Sequence, residues 1–167
     1  MISKVKPGEF NSMFNVINDA AQAYKGVIPA DVWKEPYMSV DELKAEIDGG
    51  VQFYGCREGG VLVAVMGIQR VKDVTLIRHA YTLTTHQRRG LGEKLLNYLI
   101  VLAETPEVLV GTWTAAWWAI KFYEKHGFKL ANTDEKNQLL HHYWNISKRQ
   151  VETSVVLQLR NPRGAKF

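Results

Sequence analysis

The feature that most constrains this chain is Gln87-Arg88-Arg89-Gly90-Leu91-Gly92, set between a strand-like run at 74–83 and an amphipathic helix that begins near Leu91. A glycine-containing strand-to-helix turn fixes chain direction. The helix must carry the chain back, so the next strand, at 108–114, lies parallel to the first with a right-handed crossover. The turn is chemically committed as well. Its two glycines let backbone approach a ligand closely, the first helical turn offers amides without an intrahelical acceptor, and two arginines add positive charge, so the junction suits a diphosphate.

The remaining periodicities surround this βαβ unit with further elements. Phe10, Phe14, Ile17 and Ala21 have helical spacing and predict a helix over 10–23. A second helix follows Ser39, where Ser39 and Glu42 form a capping-box pattern and Gly49-Gly50 stops the segment. Strands at 51–57 and 61–70 flank Glu58-Gly59-Gly60, a hairpin turn in which glycine accepts positive φ. In the strand at 74–83, alternation puts Ile77, His79, Tyr81 and Leu83 on one face and Val74, Leu76, Arg78 and Ala80 on the other. The helix after the glycine turn carries Leu91, Leu95, Leu99 and Leu102 as its apolar stripe and ends before Pro106. A helix over 116–126 is expected to pack Trp118, Ala119 and Phe122 inward and to stop at Gly127. Beyond it come a short strand at 128–131, a helix at 134–145 and a last strand at 153–160.

With 167 residues, 46% of them hydrophobic, and no repeat or linker, the expectation is one domain over 1–167. Residues 1–8 contain no apolar stretch of signal-peptide length, and no later run reaches the length that spans a bilayer, so a cytoplasmic protein without a membrane partner is expected. The single cysteine, Cys56, leaves no internal disulfide and argues against a cysteine-based zinc site. His141 and His142 adjoin on a helix and point in different directions, so no metal site is expected there either. Net charge is +4, but Lys148, Arg149, Arg160, Arg163 and Lys166 are not interleaved with stacking aromatics, which argues against a nucleic-acid partner.

Spacing then narrows the ligand. A dinucleotide fingerprint needs a third glycine where this chain has Leu95 and an acidic residue ending the next strand, which instead ends in Thr112-Trp113-Thr114. A P-loop needs Gly-Lys-Ser/Thr, which Gly92-Glu93-Lys94 does not supply. The turn resembles the acetyl-coenzyme A signature Gln/Arg-x-x-Gly-x-Gly/Ala of the GNAT-type N-acetyltransferases, matched by Gln87, Gly90 and Gly92. Phe122-Tyr123-Glu124-Lys125-His126-Gly127-Phe128 is similar to a second segment of that family, and the element order fits over nearly the whole chain. Ala116 departs from the pattern, since many relatives carry an asparagine there.

The resemblance implies an α/β fold: a single GNAT-like domain with a mixed, mostly antiparallel sheet, a central parallel pair splayed at the cofactor site, and helices on both faces. It implies acetyl-coenzyme A as cosubstrate, bound by Leu83, Thr84, Thr85, Gln87, Arg88, Arg89, Gly90, Leu91 and Gly92. Backbone amides around Leu83 would hold the thioester carbonyl, and Tyr123 matches the usual general acid for the departing thiolate. The reaction so implied is acetyl transfer to a primary amine by direct attack in a ternary complex. An alkyl amine of pKa about 10.4 is neutral only about one part in 2,500 at pH 7, so a base or a deprotonating environment matters. His79 and Tyr81 lie on the strand face of Leu83 and could relay a proton through water, though a strand histidine in such a position is more often a satisfied core or rim residue.

Cys56, in a strand with no paired histidine, reads as a packing residue and not an acyl carrier. The aromatics Tyr24, Trp33 and Tyr37 near Lys25 and Pro29 occupy the stretch that folds over the acceptor site in the family. The acceptor, a small-molecule amine or a protein amine, has no charge pattern that selects it, and residues 134–150 have no assigned role. A homodimer is compatible with a sheet that has open edges. The competing class is a non-catalytic acyl-coenzyme A-binding sensor that keeps the loop and has lost the chemistry.

Overall fold

The structure is a computed structural model and describes residues 1–161. Arg163 and Lys166 lie outside the described residues. Contacts divide the described chain into two compact units, with strand β4 (Val74–Thr82) contributing to both. Strand order is β1 (Ile2–Lys4), β2 (Gln52–Glu58), β3 (Val61–Val71), β4, β5 (Glu107–Trp113), β7 (Ser154–Arg160) and β6 (Lys129–Leu130), with β4 and β5 parallel and the remaining neighbours antiparallel. This is the mixed α/β sheet that the glycine turn and its crossover helix require.

The first unit comprises Met1–Ala23, Lys34–Gln69 and Ile77–Leu102. It holds β1 (Ile2–Lys4), α1 (Phe10–Ala20), α2 (Val40–Asp48), β2 (Gln52–Glu58), most of β3 (Val61–Val71), the later part of β4 (Val74–Thr82) and α3 (Leu91–Leu102). The capping box forms as the sequence predicts: Ser39 Oγ accepts from the Glu42 amide at 3.1 Å, and the Glu42 carboxylate accepts from the Ser39 amide at 3.3 Å. Gly59 and Gly60 turn the β2–β3 hairpin at φ 60° and 80°, the left-handed pair that a two-residue hairpin turn demands. The core of this unit gathers Met13, Val16 and Ile17 from α1, Leu43 from α2, and Phe53, Leu62 and Val65 from the strands.

Three expectations are corrected here. β1 was absent from the sequence pattern: it is three residues long, and its register with β2 (Ile2↔Cys56, Lys4↔Tyr54) comes from pairing and not from local periodicity. The inward stripe of α3 is Leu95, Leu96 and Leu99, whereas Leu102 is 40% exposed near the helix end. In β4 the strict alternation fails at His79, whose φ is 55°. A left-handed residue inserted in a strand acts as a bulge and re-aims its neighbours. Arg78 and His79, expected on opposite faces, therefore reach the same oxygen of Glu46, at 3.2 and 3.1 Å.

The second unit comprises Tyr24–Trp33, Arg70–Leu76 and the described chain from Ala103. It contains β5 (Glu107–Trp113), α4 (Trp117–Lys125), β6 (Lys129–Leu130), α5 (Thr133–Tyr143), α6 (Lys148–Glu152) and β7 (Ser154–Arg160). β7 pairs antiparallel with β5 from Glu107↔Arg160 to Trp113↔Ser154, and on its other edge with β6. Val74, Leu76, Leu109, Leu140 and Val156 form the core of this unit. Among the described residues no helix is long and apolar enough to cross a membrane.

The stretch 134–150 now has a physical account. Its helix α5 buries Leu140 and is held to the β3–β4 turn by two bonds: Tyr143 donates its hydroxyl to Asp73 at 2.7 Å, and Lys72 donates to the His142 carbonyl at 2.8 Å. The Trp144 indole packs over Gly111 of β5, where an added Cβ would come within 3.3 Å of it. The short α6, which periodicity did not reveal, carries Arg149, whose guanidinium grips Asp31 at 2.8 and 3.1 Å.

Candidate functional site

The glycine turn lies wholly in the first unit. The Leu83 amide donates to the Val63 carbonyl at 2.9 Å, so Leu83 still belongs to the ladder with β3. The chain then leaves the sheet at Thr84, whose amide donates to Asp19 Oδ2 at 2.8 Å and whose hydroxyl donates to Oδ1 at 3.3 Å. Asp19, near the end of α1, thus pins the point where the loop begins. Thr84–His86 make one 3-10 turn, closed by the His86 amide on the Leu83 carbonyl at 2.8 Å, with Thr85 Oγ1 at 2.7 Å from His86 Nδ1. The Gln87 side chain donates back to the Thr82 carbonyl at 3.2 Å and ties the loop to the strand end.

Arg88 and Gly90 both have left-handed backbone, at φ 64° and 76°. Space is open where a Cβ on Gly90 would stand, so conformation, and not crowding, calls for glycine there. Arg88 adopts the same region with a side chain, which costs on the order of 1 kcal/mol and persists because the flanking bonds determine it. The first backbone bond of α3 runs from the Lys94 amide to the Gly90 carbonyl at 3.1 Å. The amides of Leu91, Gly92 and Glu93 therefore precede the helical ladder, and Gly90 has no side chain with which to cap them. Arg88 and Arg89 are exposed beside this helix start. Arg89 Nη1 is 3.3 Å from Glu58 Oε2, and His86 Nε2 is 3.6 Å from the same oxygen. Every cofactor residue read from the sequence therefore falls in one continuous, bonded turn. What sequence reading missed are its anchors, Asp19 and Glu58, because each lies far along the chain from the turn, Asp19 65 positions from Thr84 and Glu58 31 from Arg89, and no motif marks them.

Tyr123 lies in the second unit, on α4. It is 4% exposed and is the only buried residue within α4, whereas Trp118, Ala119 and Phe122, expected to point inward, are half-buried. The rings of Phe122 and Phe128 meet the Tyr123 ring edge to face at 5.2 and 5.5 Å. Among the described residues its hydroxyl makes no hydrogen bond, so the phenol is not a structural anchor of that kind. Burial pushes its pKa above the ordinary phenol range, which keeps the proton on oxygen at any neutral pH. Gly127, at φ 91°, ends the helix, and the amides of His126 and Phe128 both donate to the Tyr123 carbonyl, at 3.0 and 3.1 Å. Ala116 precedes α4 and supplies no side-chain cap. In the same unit Tyr24 stacks on Trp118 at 6.0 Å, which places part of the aromatic stretch 24–33 against α4.

Other candidates resolve simply. The His79 imidazole is bonded to Glu46 and lies 5.9 Å from the Phe53 ring, while Tyr81 meets Tyr37 at 6.5 Å. Cys56 is 4% exposed, and burial raises its thiol pKa, the signature of a packed residue and not of a nucleophile. Among the described residues no three His, Cys, Asp or Glu side chains converge as a metal site.

Residues 18–144 match the acetyltransferase (GNAT) domain family. No curated protein sequence matches the chain significantly. Among solved structures, it is similar to the PaiA N-acetyltransferase of Thermoplasma acidophilum in complex with coenzyme A, with 15% identity, a TM-score of 0.73, and coverage of 96% of this chain and 98% of that one. It is also similar to the ribosomal-protein-alanine N-acetyltransferase of Brucella melitensis, at 13% identity and a TM-score of 0.67 over 96% of this chain and 99% of that one. The N-acetylglutamate synthase of Neisseria gonorrhoeae, complexed with coenzyme A and N-acetyl-glutamate, aligns at 17% identity and a TM-score of 0.68 over 98% of this chain but only 35% of its own. The family match covers the glycine turn, the crossover helix and the Tyr123 segment together, and the chain therefore belongs to the GNAT acetyltransferases, which use acetyl-coenzyme A as the acetyl donor.

Proposed function

We propose that this chain transfers the acetyl group of acetyl-coenzyme A to a primary amine by direct attack in a ternary complex. The observation that carries the reading is the uncapped start of α3, where three amides precede the helical ladder behind a left-handed glycine and two exposed arginines. Such a start is a ready site for a pyrophosphate, and Thr84, Thr85, Gln87, Arg88, Arg89, Gly90, Leu91 and Gly92 are assigned to it.

The amine nitrogen attacks the thioester carbon, a C–N bond forms, the C–S bond breaks, the amine gives up one proton and the thiolate gains one. Because the Leu83 amide points to β3, strand alternation directs the neighbouring Thr82 amide to the opposite edge, and we assign that amide to the developing oxyanion. Tyr123 is assigned the proton for the leaving sulfur. A phenol at its ordinary pKa protonates a thiolate uphill by about 2 kcal/mol, and burial adds to that cost, so the transfer must accompany C–S cleavage and not precede it.

The same raised pKa of Tyr123 supports a second reading, a sensor that binds acyl-coenzyme A without turning it over. Coenzyme A release measured against a panel of small-molecule amines and peptide amines separates the two. Catalysis predicts turnover with at least one acceptor and a loss of about 100-fold in Tyr123→Phe, with acetyl-coenzyme A affinity retained. Tight cofactor binding with no turnover on any acceptor, and no effect of Tyr123→Phe, selects the sensor. The working unit in either case is taken as one domain over 1–167, in the cytoplasm, with no nucleic-acid partner; a homodimer is the assembly to test first.

A further inference from the structure

The first unit contains a cavity of about 900 Å³ that shares no residue with the glycine turn. Its floor is core: Met13, Val51 and Phe53 border it although each is at most 4% exposed, and Phe10 forms a side wall. Its rim is cationic, with Lys4 from β1, Lys6 from the following turn and Lys44 from α2 set against a single acid, Asp48. All three lysines are exposed, and among the described residues their ammonium groups enter no direct ion pair or hydrogen bond, the Glu9 carboxylate acting on Lys6 only through space. The guanidinium of Arg57, by contrast, is engaged by Glu9 at 2.6 and 2.7 Å and by the Ser3 hydroxyl at 2.8 Å. The C-terminal end of α2, whose carbonyls would repel an anion, is already satisfied by the amides of Gly49, Gly50 and Val51.

We infer that this cavity is a second binding site, for a small amphipathic anion with an apolar body and one carboxylate-like head. Its size falls in the range of small-molecule sites, and an apolar floor under a rim of three lysines set against one acid matches neither of the simpler ligands. A neutral hydrocarbon would leave the ammonium groups without counter-charge. A polyanion would leave the floor unfilled. Lysine stems can lie along an acyl chain while their heads stay at the mouth, so the rim can close on the apolar body and still meet the head group.

Decanoate titrated into the full chain, by calorimetry and by nitrogen-15 chemical shifts, tests this. The expected result is one saturable site with shifts at Gly50, Gln52 and Phe53 that persist with coenzyme A present. The combined Lys4→Gln, Lys6→Gln and Lys44→Gln variant should weaken binding by about tenfold, three exposed charges at a few tenths of a kcal/mol each, and decanol should bind weaker by a similar factor. Unchanged thermal stability and unchanged coenzyme A affinity in that variant show that the fold is intact. Absence of saturation up to about 1 mM, a Kd weaker than the mM level that such contacts support, overturns the inference. So do equal affinities for decanoate and decanol, and shifts confined to 83–92, which would place the chain in the cofactor loop.

Discussion

At the scale of single residues, what decides a group's behaviour is its partner. Glu9 illustrates this: the hydrogen bonds from Arg57 hold its carboxyl down to about 2, from an ordinary 4.5. A folded-state pKa below the unfolded value means that the stabilisation is complete above pH 4.5 and is lost as pH falls from 4.5 through 2. Glu9→Gln is therefore expected to lower unfolding free energy by about 2 kcal/mol at neutral pH, the scale of a hydrogen bond to a charged group. In urea melts the gap between Glu9→Gln and the parent should narrow steadily across that acid window; a gap constant with pH would show that the pair contributes nothing through ionisation. Tyr123 is the opposite case. Its identity as the matching phenol is legible in Phe122-Tyr123-Glu124-Lys125, but its near-complete burial and uncommitted hydroxyl are not, because six of the nine residues of α4 are apolar or aromatic and leave periodicity ambiguous.

At the scale of elements, local chemistry predicted most of what formed. Ser39 caps α2 through the reciprocal bonds that its spacing to Glu42 requires, so Ser39→Ala should cost about 1 kcal/mol, read as a lowered thermal midpoint with the native fold retained. Gly90 is a sharper test of the loop. With φ at 76° and open space around it, Gly90→Ala meets no clash but strains the backbone by about 1 kcal/mol, and relaxation of that strain would close the amide cradle. Its expected effect is a small loss of stability with a larger loss of acetyl-coenzyme A affinity; equal losses in both would remove the cradle from the argument. Elements that periodicity missed are those too short to show any: β1 with three residues and α6 with five exist because β2 and β7 receive them.

For the whole molecule, the cofactor assignment makes one plain demand. A ligand that binds only the folded chain stabilises it by about 2.7 kcal/mol at one hundred times its Kd, so acetyl-coenzyme A and coenzyme A should raise the melting temperature where NAD does not. A larger shift with NAD would contradict the family assignment at its centre. The sequence by itself determined the chain's turns, caps, βαβ order and diphosphate-suited loop, because glycine conformations, capping spacings and apolar periods are settled by neighbours a few positions away. Tertiary structure alone decided that Thr84 is pinned by Asp19, that Arg89 is paired with Glu58, and that His79 shares Glu46 with Arg78. Those partners are 65, 31 and 33 positions apart, and only the packing of separate elements sets which of many equally suitable carboxylates each one meets.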